Sequence, residues 1–156
     1  MTTRENVEDW LKELGNSIGV ALTMDENGMC GFLYKNEVEC IIEVPKESLE
    51  MYLYAPLVQL SIYDKETRYT LYEELLASNF LCLSTRGATL AIDKIKDEVL
   101  ICFNQPLNSL ADNLTFKNIL GNFIETALSW KASLKSNAWQ SEEMSTEGHH
   151  GAGMIV

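Results

Sequence analysis

Basic residues are scarce in this chain, 12 Lys and Arg against 23 Asp and Glu, which leaves a formal net charge of -11. Nucleic acid is therefore excluded as a natural partner, because phosphate binding needs clustered Lys and Arg. The acidic residues are scattered rather than gathered in a tail, so they either keep a sticky protein dissolved or present an acidic face to a basic partner. No run approaches the roughly 18 consecutive apolar residues that span a bilayer. The opening stretch from Met1 to Asp9 also lacks the charged-then-apolar layout of a signal peptide, so a cytosolic chain without membrane insertion is expected.

Histidine is nearly missing as well. His149 and His150 lie together in the terminal stretch, where a metal would find no preformed cage, so no metal site is expected. There is no glycine-rich phosphate loop and no Gly-x-Ser-x-Gly elbow, and no catalytic residue or cofactor is assigned. Asp64, Glu66, Glu73 and Glu74 fall on the wet side of a helix, where a charge run serves solvation. Cys30, Cys40, Cys82 and Cys102 are too far apart for a Cys-x-x-Cys motif, and each sits in an apolar run. They read as small buried hydrophobes in a reducing compartment.

What the chain does have is hydrophobic material, 46% of its 156 residues, enough for one compact core. Thr2 and Glu5 have capping-box spacing, and Val7, Leu11, Leu14 and Ile18 recur at helical intervals, predicting a helix over 3–18. Asp25 to Gly28 signals a turn, and the runs Met29 to Tyr34 and Val38 to Val44, joined by Lys35, Asn36 and Glu37, predict a hairpin. A third strand fits Glu50 to Leu57. Between Asp64 and Asn79 the period becomes helical, with Tyr69, Tyr72 and Leu76 on one side and Leu71 and Leu75 on another.

A short extended stretch over Phe80 to Leu83 and a turn at Arg86-Gly87 come next. A second hairpin then fits Ala88 to Asp93 and Glu98 to Asn104, and Pro106 marks the end of its second strand. Phe116, Ile119, Leu120, Phe123, Ala127, Trp130 and Leu134 predict a long helix over 112–135, with Gly121 its weak point. Residues 136–156 turn to Ser, Glu, Gly and His and are expected to form a mobile tail beyond a 1–135 domain. The order α-β-β-β-α-β-β-α implies an α+β domain with a five-stranded antiparallel sheet.

Two consequences concern surface. A helix apolar on two sides needs two packing partners, the chain's own sheet and, most economically, a second subunit. If Val38, Cys40, Ile42 and Leu53 point into the core, alternation puts Leu33, Ile41, Tyr52 and Tyr54 on the opposite sheet face. A monomer this small has no spare helix to cover that face, and exposed apolar patches mark partner sites. The alternative is that the terminal helices cover it and the assignment is inverted.

Six segments in order carry a family likeness: Leu14-Gly15-x-x-Ile18-Gly19 with Asp25 to Phe32, Met51 to Leu57, Tyr72 to Asn79, Gly87 to Asp93, and Phe123 to Trp130. Together, over roughly 5–135, the chain resembles class I type III secretion chaperones of the Tir-chaperone (CesT/SycE-like) family. The Tyr54-Ala-Pro-Leu57, Leu75-Leu-x-x-Asn79 and Gly87-Ala-Thr-Leu-Ala91 segments are most similar to the multi-cargo branch. The resemblance implies a homodimer in the bacterial cytoplasm that wraps an effector's extended amino-terminal region around itself and keeps it competent for the secretion ATPase. It also implies a dimer interface at the middle helix and following strands, here Leu71, Leu75, Leu90 and Ile92, while Leu33, Ile41, Tyr52 and Tyr54 are the expected effector contacts. Two other readings stay open, a regulatory protein on the same scaffold that sequesters a transcription regulator and a small acidic enzyme with an unrecognised site.

Overall fold

The computed structural model describes residues 1–137 and Trp139. Three α-helices, α1 (Arg4–Ile18), α2 (Lys65–Ser78) and α3 (Asn113–Lys135), and five strands, β1 (Met29–Tyr34), β2 (Val38–Glu43), β3 (Glu50–Gln59), β4 (Thr89–Asp93) and β5 (Glu98–Pro106), follow in the order α-β-β-β-α-β-β-α. All pairs are antiparallel, and the sheet runs β1-β2-β3-β5-β4. The fold is α+β.

Local chemistry sets the boundaries. Asp64 and Asp112 cap α2 and α3, their carboxylates accepting the Thr67 N–H at 2.8 Å and the Thr115 N–H at 2.7 Å. These bonds favour the ionised form and hold both carboxyls below the usual carboxylate range. Helix α1 starts one residue later than its sequence spacing suggests. Thr3 is the cap, its N–H donating to Asn6 Oδ1 at 2.9 Å, while the Thr2 hydroxyl instead reaches the Leu110 carbonyl at 2.6 Å. Gly121 leaves α3 unbroken.

Turns close the hairpins. Lys35 and Asn36 both have positive φ, and Glu37 N–H donates to the Tyr34 carbonyl, a type I′ arrangement that suits strand twist. Before β1, Asp25 Oδ1 accepts the N–H groups of Asn27 and Met29, and Gly28 takes φ 88°. A Cβ at Gly28 would lie 2.2 Å from the Val44 carbonyl oxygen, so only glycine lets β1 start so close to the end of β2.

One sheet face is buried. Val38, Cys40, Ile42, Met51, Leu53, Ala55, Val99 and Ile101 form a continuous core with Val7 and Leu11 of α1 and Phe116, Leu120 and Leu134 of α3. Helix α3 lies against β2 and β3, α1 packs on α3, and α2 stands beside β4. Arg68 ties α2 to the β4–β5 turn through bonds to both carboxylate oxygens of Asp97, at 3.3 and 3.2 Å.

One described residue lies beyond Ser136 and Asn137, which follow the expected boundary at Lys135. Trp139 is buried in the same core, edge-on to Tyr63 with ring centroids 6.1 Å apart. The rest of the expected tail, residues 138 and 140–156 with His149 and His150, lies outside the described residues. The expected extended stretch at Phe80 to Leu83 is instead a tight turn. Leu81 and Cys82 are both left-handed, and Gly87 N–H closes the loop onto the Cys82 carbonyl at 3.0 Å. Of the cysteines, Cys30 and Cys40 are buried, whereas Cys82 and Cys102 are half-buried.

Candidate interaction surfaces

Two surfaces stand out, and both follow from strand alternation and helix periodicity. Along β2, Val38, Cys40 and Ile42 face the helices, which turns Glu39, Ile41 and Glu43 outward. The register then aligns a cross-strand row, Gly31, Ile41, Tyr54, Cys102 and Thr89, on the opposite face. Tyr52 joins from its pairing with Glu43, and Leu33 from its pairing with Glu39. Leu33, Ile41, Tyr52 and Tyr54 thus share the face away from α1 and α3.

Their exposure differs. Leu33 is 58% exposed and Tyr52 is also open, Tyr54 is half-buried, and Ile41 is only 9% exposed. Ile41 is shielded within its row, and with only a hydrogen at Gly31 its Cγ1 would sit 3.9 Å from a Cβ there. A shallow cleft of about 250 Å³ runs beside the row, lined by Glu43, Tyr52, Tyr54, Thr89, Cys102 and Asn104 among others. The Tyr54 hydroxyl donates to Glu43 Oε2 at 3.4 Å. Burial, with the Glu43 charge adding to it, pushes the Tyr54 phenol up to about 12, so it stays a neutral donor. Carboxylates of Glu39, Glu43 and Glu50 border this apolar centre.

The sheet has two outer edges, each partly covered by a polar residue. At β4, Asn79 caps α2 and bonds both backbone groups of Leu90, donating to its carbonyl at 2.9 Å and accepting its N–H at 2.8 Å. At β1, Asp25 covers the first residue in a similar way, its Oδ1 accepting the Met29 N–H at 2.9 Å and its own N–H donating to the Met29 carbonyl at 2.8 Å, but no such bond reaches Gly31 or Leu33 among the described residues.

The second surface surrounds α2. Leu71, Leu75 and Leu90 are buried within the chain's own core, whereas Ile92 is exposed. The apolar side chains that reach solvent here are their neighbours, Tyr69 and Leu76 (72% exposed) on α2, then Phe80 (74%), Leu81 and Leu83 (77%) on the following turn. The Tyr69–Tyr72–Leu76 stripe was visible in the periodicity, but Phe80, Leu81 and Leu83 were not singled out. Their signal was available: three large apolar residues within four positions directly after a helix cap, with no alternation to bury them.

No helix among the described residues is long and apolar enough to cross a membrane. Among the described residues no group of three or more His, Cys, Asp and Glu could hold a metal ion.

A profile of the Tir chaperone protein (CesT) family matches residues 9–131. No curated protein matches the sequence at a significant level. Among solved structures, the fold is similar to a chain of the ExsC-ExsE complex, with TM-score 0.71 and 20% identity over 85% of this chain and 96% of that one. It is similar to a chain of the HopA1-SchA chaperone-effector complex, with TM-score 0.63 and 17% identity over 83% and 95%. It also resembles YbjN, a putative transcription regulator from E. coli, with TM-score 0.62 and 14% identity over 90% and 97%.

Proposed function

Since this chain belongs to the Tir chaperone protein (CesT) family, we propose that it is a type III secretion chaperone whose bare sheet face and open β1 edge hold an extended segment of an effector. The carrying observation is the juxtaposition of Leu33, more than half exposed, with the part of an edge strand, Gly31 to Leu33, that no side chain covers among the described residues. An extended client bonds its backbone to such an edge and places alternate side chains on the adjoining face, which gives affinity with loose sequence demand. The known complexes of similar fold, one a chaperone with its effector, support the same use.

The working unit in this reading is a homodimer. Tyr69, Leu76, Phe80, Leu81 and Leu83 form one exposed apolar surface that continues to Ile92, and a symmetric partner is the simplest cover for it. Leu71, Leu75 and Leu90 support this interface from beneath rather than contacting the partner. Holding a client unfolded consumes no chemical step, so the chain works as a binder rather than an enzyme. Delivery to the secretion ATPase follows from that role, and the place of action is the bacterial cytoplasm.

The experiment is co-expression of the tagged chain with the products of neighbouring genes, followed by purification and mass measurement. A stoichiometric complex of two chains with one secreted protein, bound through its amino-terminal region, supports the reading. A prey that is a transcription regulator, or a metabolite-dependent rise in melting temperature with no protein partner, would replace it.

A further inference from the structure

Beyond Ile41 and Tyr54 the central strands part. β2 pairs with β3 only over 41–43 and 52–54, although β2 begins at Val38 and β3 continues to Gln59. Pro56 has no N–H to offer across the gap. A cleft of about 310 Å³ occupies this place, lined by Glu39, Pro56–Gln59, Lys96, Glu98 and Lys131.

Glu98 is the unusual member. It is only 5% exposed, and its Oε2 accepts the Gln59 side-chain N–H at 2.7 Å. Its Oε1 is buried without any hydrogen-bond partner. The nearest cation, Lys96 Nζ, stands 3.9 Å away on a largely exposed side chain, outside hydrogen-bond range. Lys131 is committed elsewhere, donating to the Glu37 carbonyl at 2.6 Å. A buried carboxylate oxygen with no donor is costly, and a cationic donor removes that cost.

We propose that this cleft is a subsite for one arginine side chain of the bound client, whose guanidinium donates to Glu98 Oε1 in place of the distant Lys96. This deepens the chaperone reading and rests on it. The position fits: Glu39, which lines the cleft, is the cross-strand partner of Leu33, so a segment passing along β1 over Leu33 lies beside the opening. The chemistry selects arginine over lysine, because a guanidinium is planar, carries several donors and is less strongly hydrated than an ammonium. A formal charge of -11 on the chain adds general attraction for a basic segment.

The direct test titrates the full chain with millimolar N-acetyl-arginine amide and follows the side-chain amide of Gln59 and the backbone of Glu98 by NMR. Saturable shifts are expected, absent with the neutral citrulline analogue, weaker with the lysine analogue, and lost in Glu98→Gln, which keeps the acceptor for Gln59. Lys96→Ala, which removes the competing ammonium, should tighten binding. No shift at these sites, or equal shifts with citrulline or in Glu98→Gln, would overturn the subsite. A second arm uses the client complex, where Glu98→Gln should weaken binding about tenfold or more. A client held equally well by Glu98→Gln, with a silent arginine titration, removes the subsite and leaves the chaperone reading intact. If the arginine probe binds but no client is ever captured, the cleft stands and its use by a secreted protein falls.

Discussion

The side-chain amide of Asn79 takes the place of a neighbouring strand at Leu90, accepting its N–H at 2.8 Å and donating to its carbonyl at 2.9 Å. One residue at the end of α2 therefore blunts an edge strand that would otherwise invite pairing with another chain. At the other edge Asp25 does the same for Met29 at the start of β1, and the outer backbone of Gly31 and Leu33 beyond it has no such cover among the described residues.

Replacing Asn79 with Ala should leave both Leu90 groups without partners and lower stability by about 1–3 kcal/mol. Thermal unfolding measures the loss, and faster hydrogen exchange at Leu90 would locate it. A variant as stable as the wild type with Leu90 still protected would show that the edge is closed by something else.

Leu33→Asp and Tyr52→Asp change exposed side chains, so each should shift stability by no more than about 0.5 kcal/mol. The pair should nonetheless abolish co-purification of the client. Ile41 is unsuitable for the same test, because a charge at a position 9% exposed would disturb the fold itself. Full client recovery with the double variant would remove this face from the binding surface.

Leu76→Glu with Leu83→Glu places charges on the exposed surface around α2 while leaving Leu71 and Leu75 in the core. Sedimentation should show a dimer for the wild type and a folded monomer for the variant. A wild-type monomer at micromolar concentration, or a variant that stays dimeric, would contradict the proposed interface.

Burial pushes the Cys40 thiol up from 9.0 to about 12 and raises Cys30 as well. Because the folded value lies above the unfolded one, burial of the neutral thiol is fully compatible with stability below pH 9 and becomes a penalty as pH rises from 9 toward 12. Between those limits the loss approaches about 1.4 kcal/mol per pH unit at full effect. Chemical denaturation at pH 8 and pH 10 should show the decline, and Cys40→Ala should flatten it. Thiol labelling at pH 8 should spare native Cys40.

Much of this was legible in the sequence because alternation and helical period record burial directly. Val38, Cys40 and Ile42 against Glu39 and Glu43 fix the two faces of β2 without any coordinates, and Phe116 to Leu134 mark α3. The periodicity of α2 revealed two apolar stripes but not which one the chain keeps for itself, since that depends on where β4 lies. The turn at Leu81 and Cys82 was hidden because left-handed backbone there is carried by residues with no turn signature. Trp139 was lost to the polar composition around it, and the unpaired oxygen of Glu98 depends on the parting of β2 from β3, which no local pattern encodes.

The most direct test is hydrogen–deuterium exchange of the chain with and without its client. Amides of β1, Met29–Tyr34, should become protected in the complex, while β4 near Leu90 stays unchanged beyond what dimerisation gives. Protection confined to β4, or no change at β1 in a stoichiometric complex, would contradict the account.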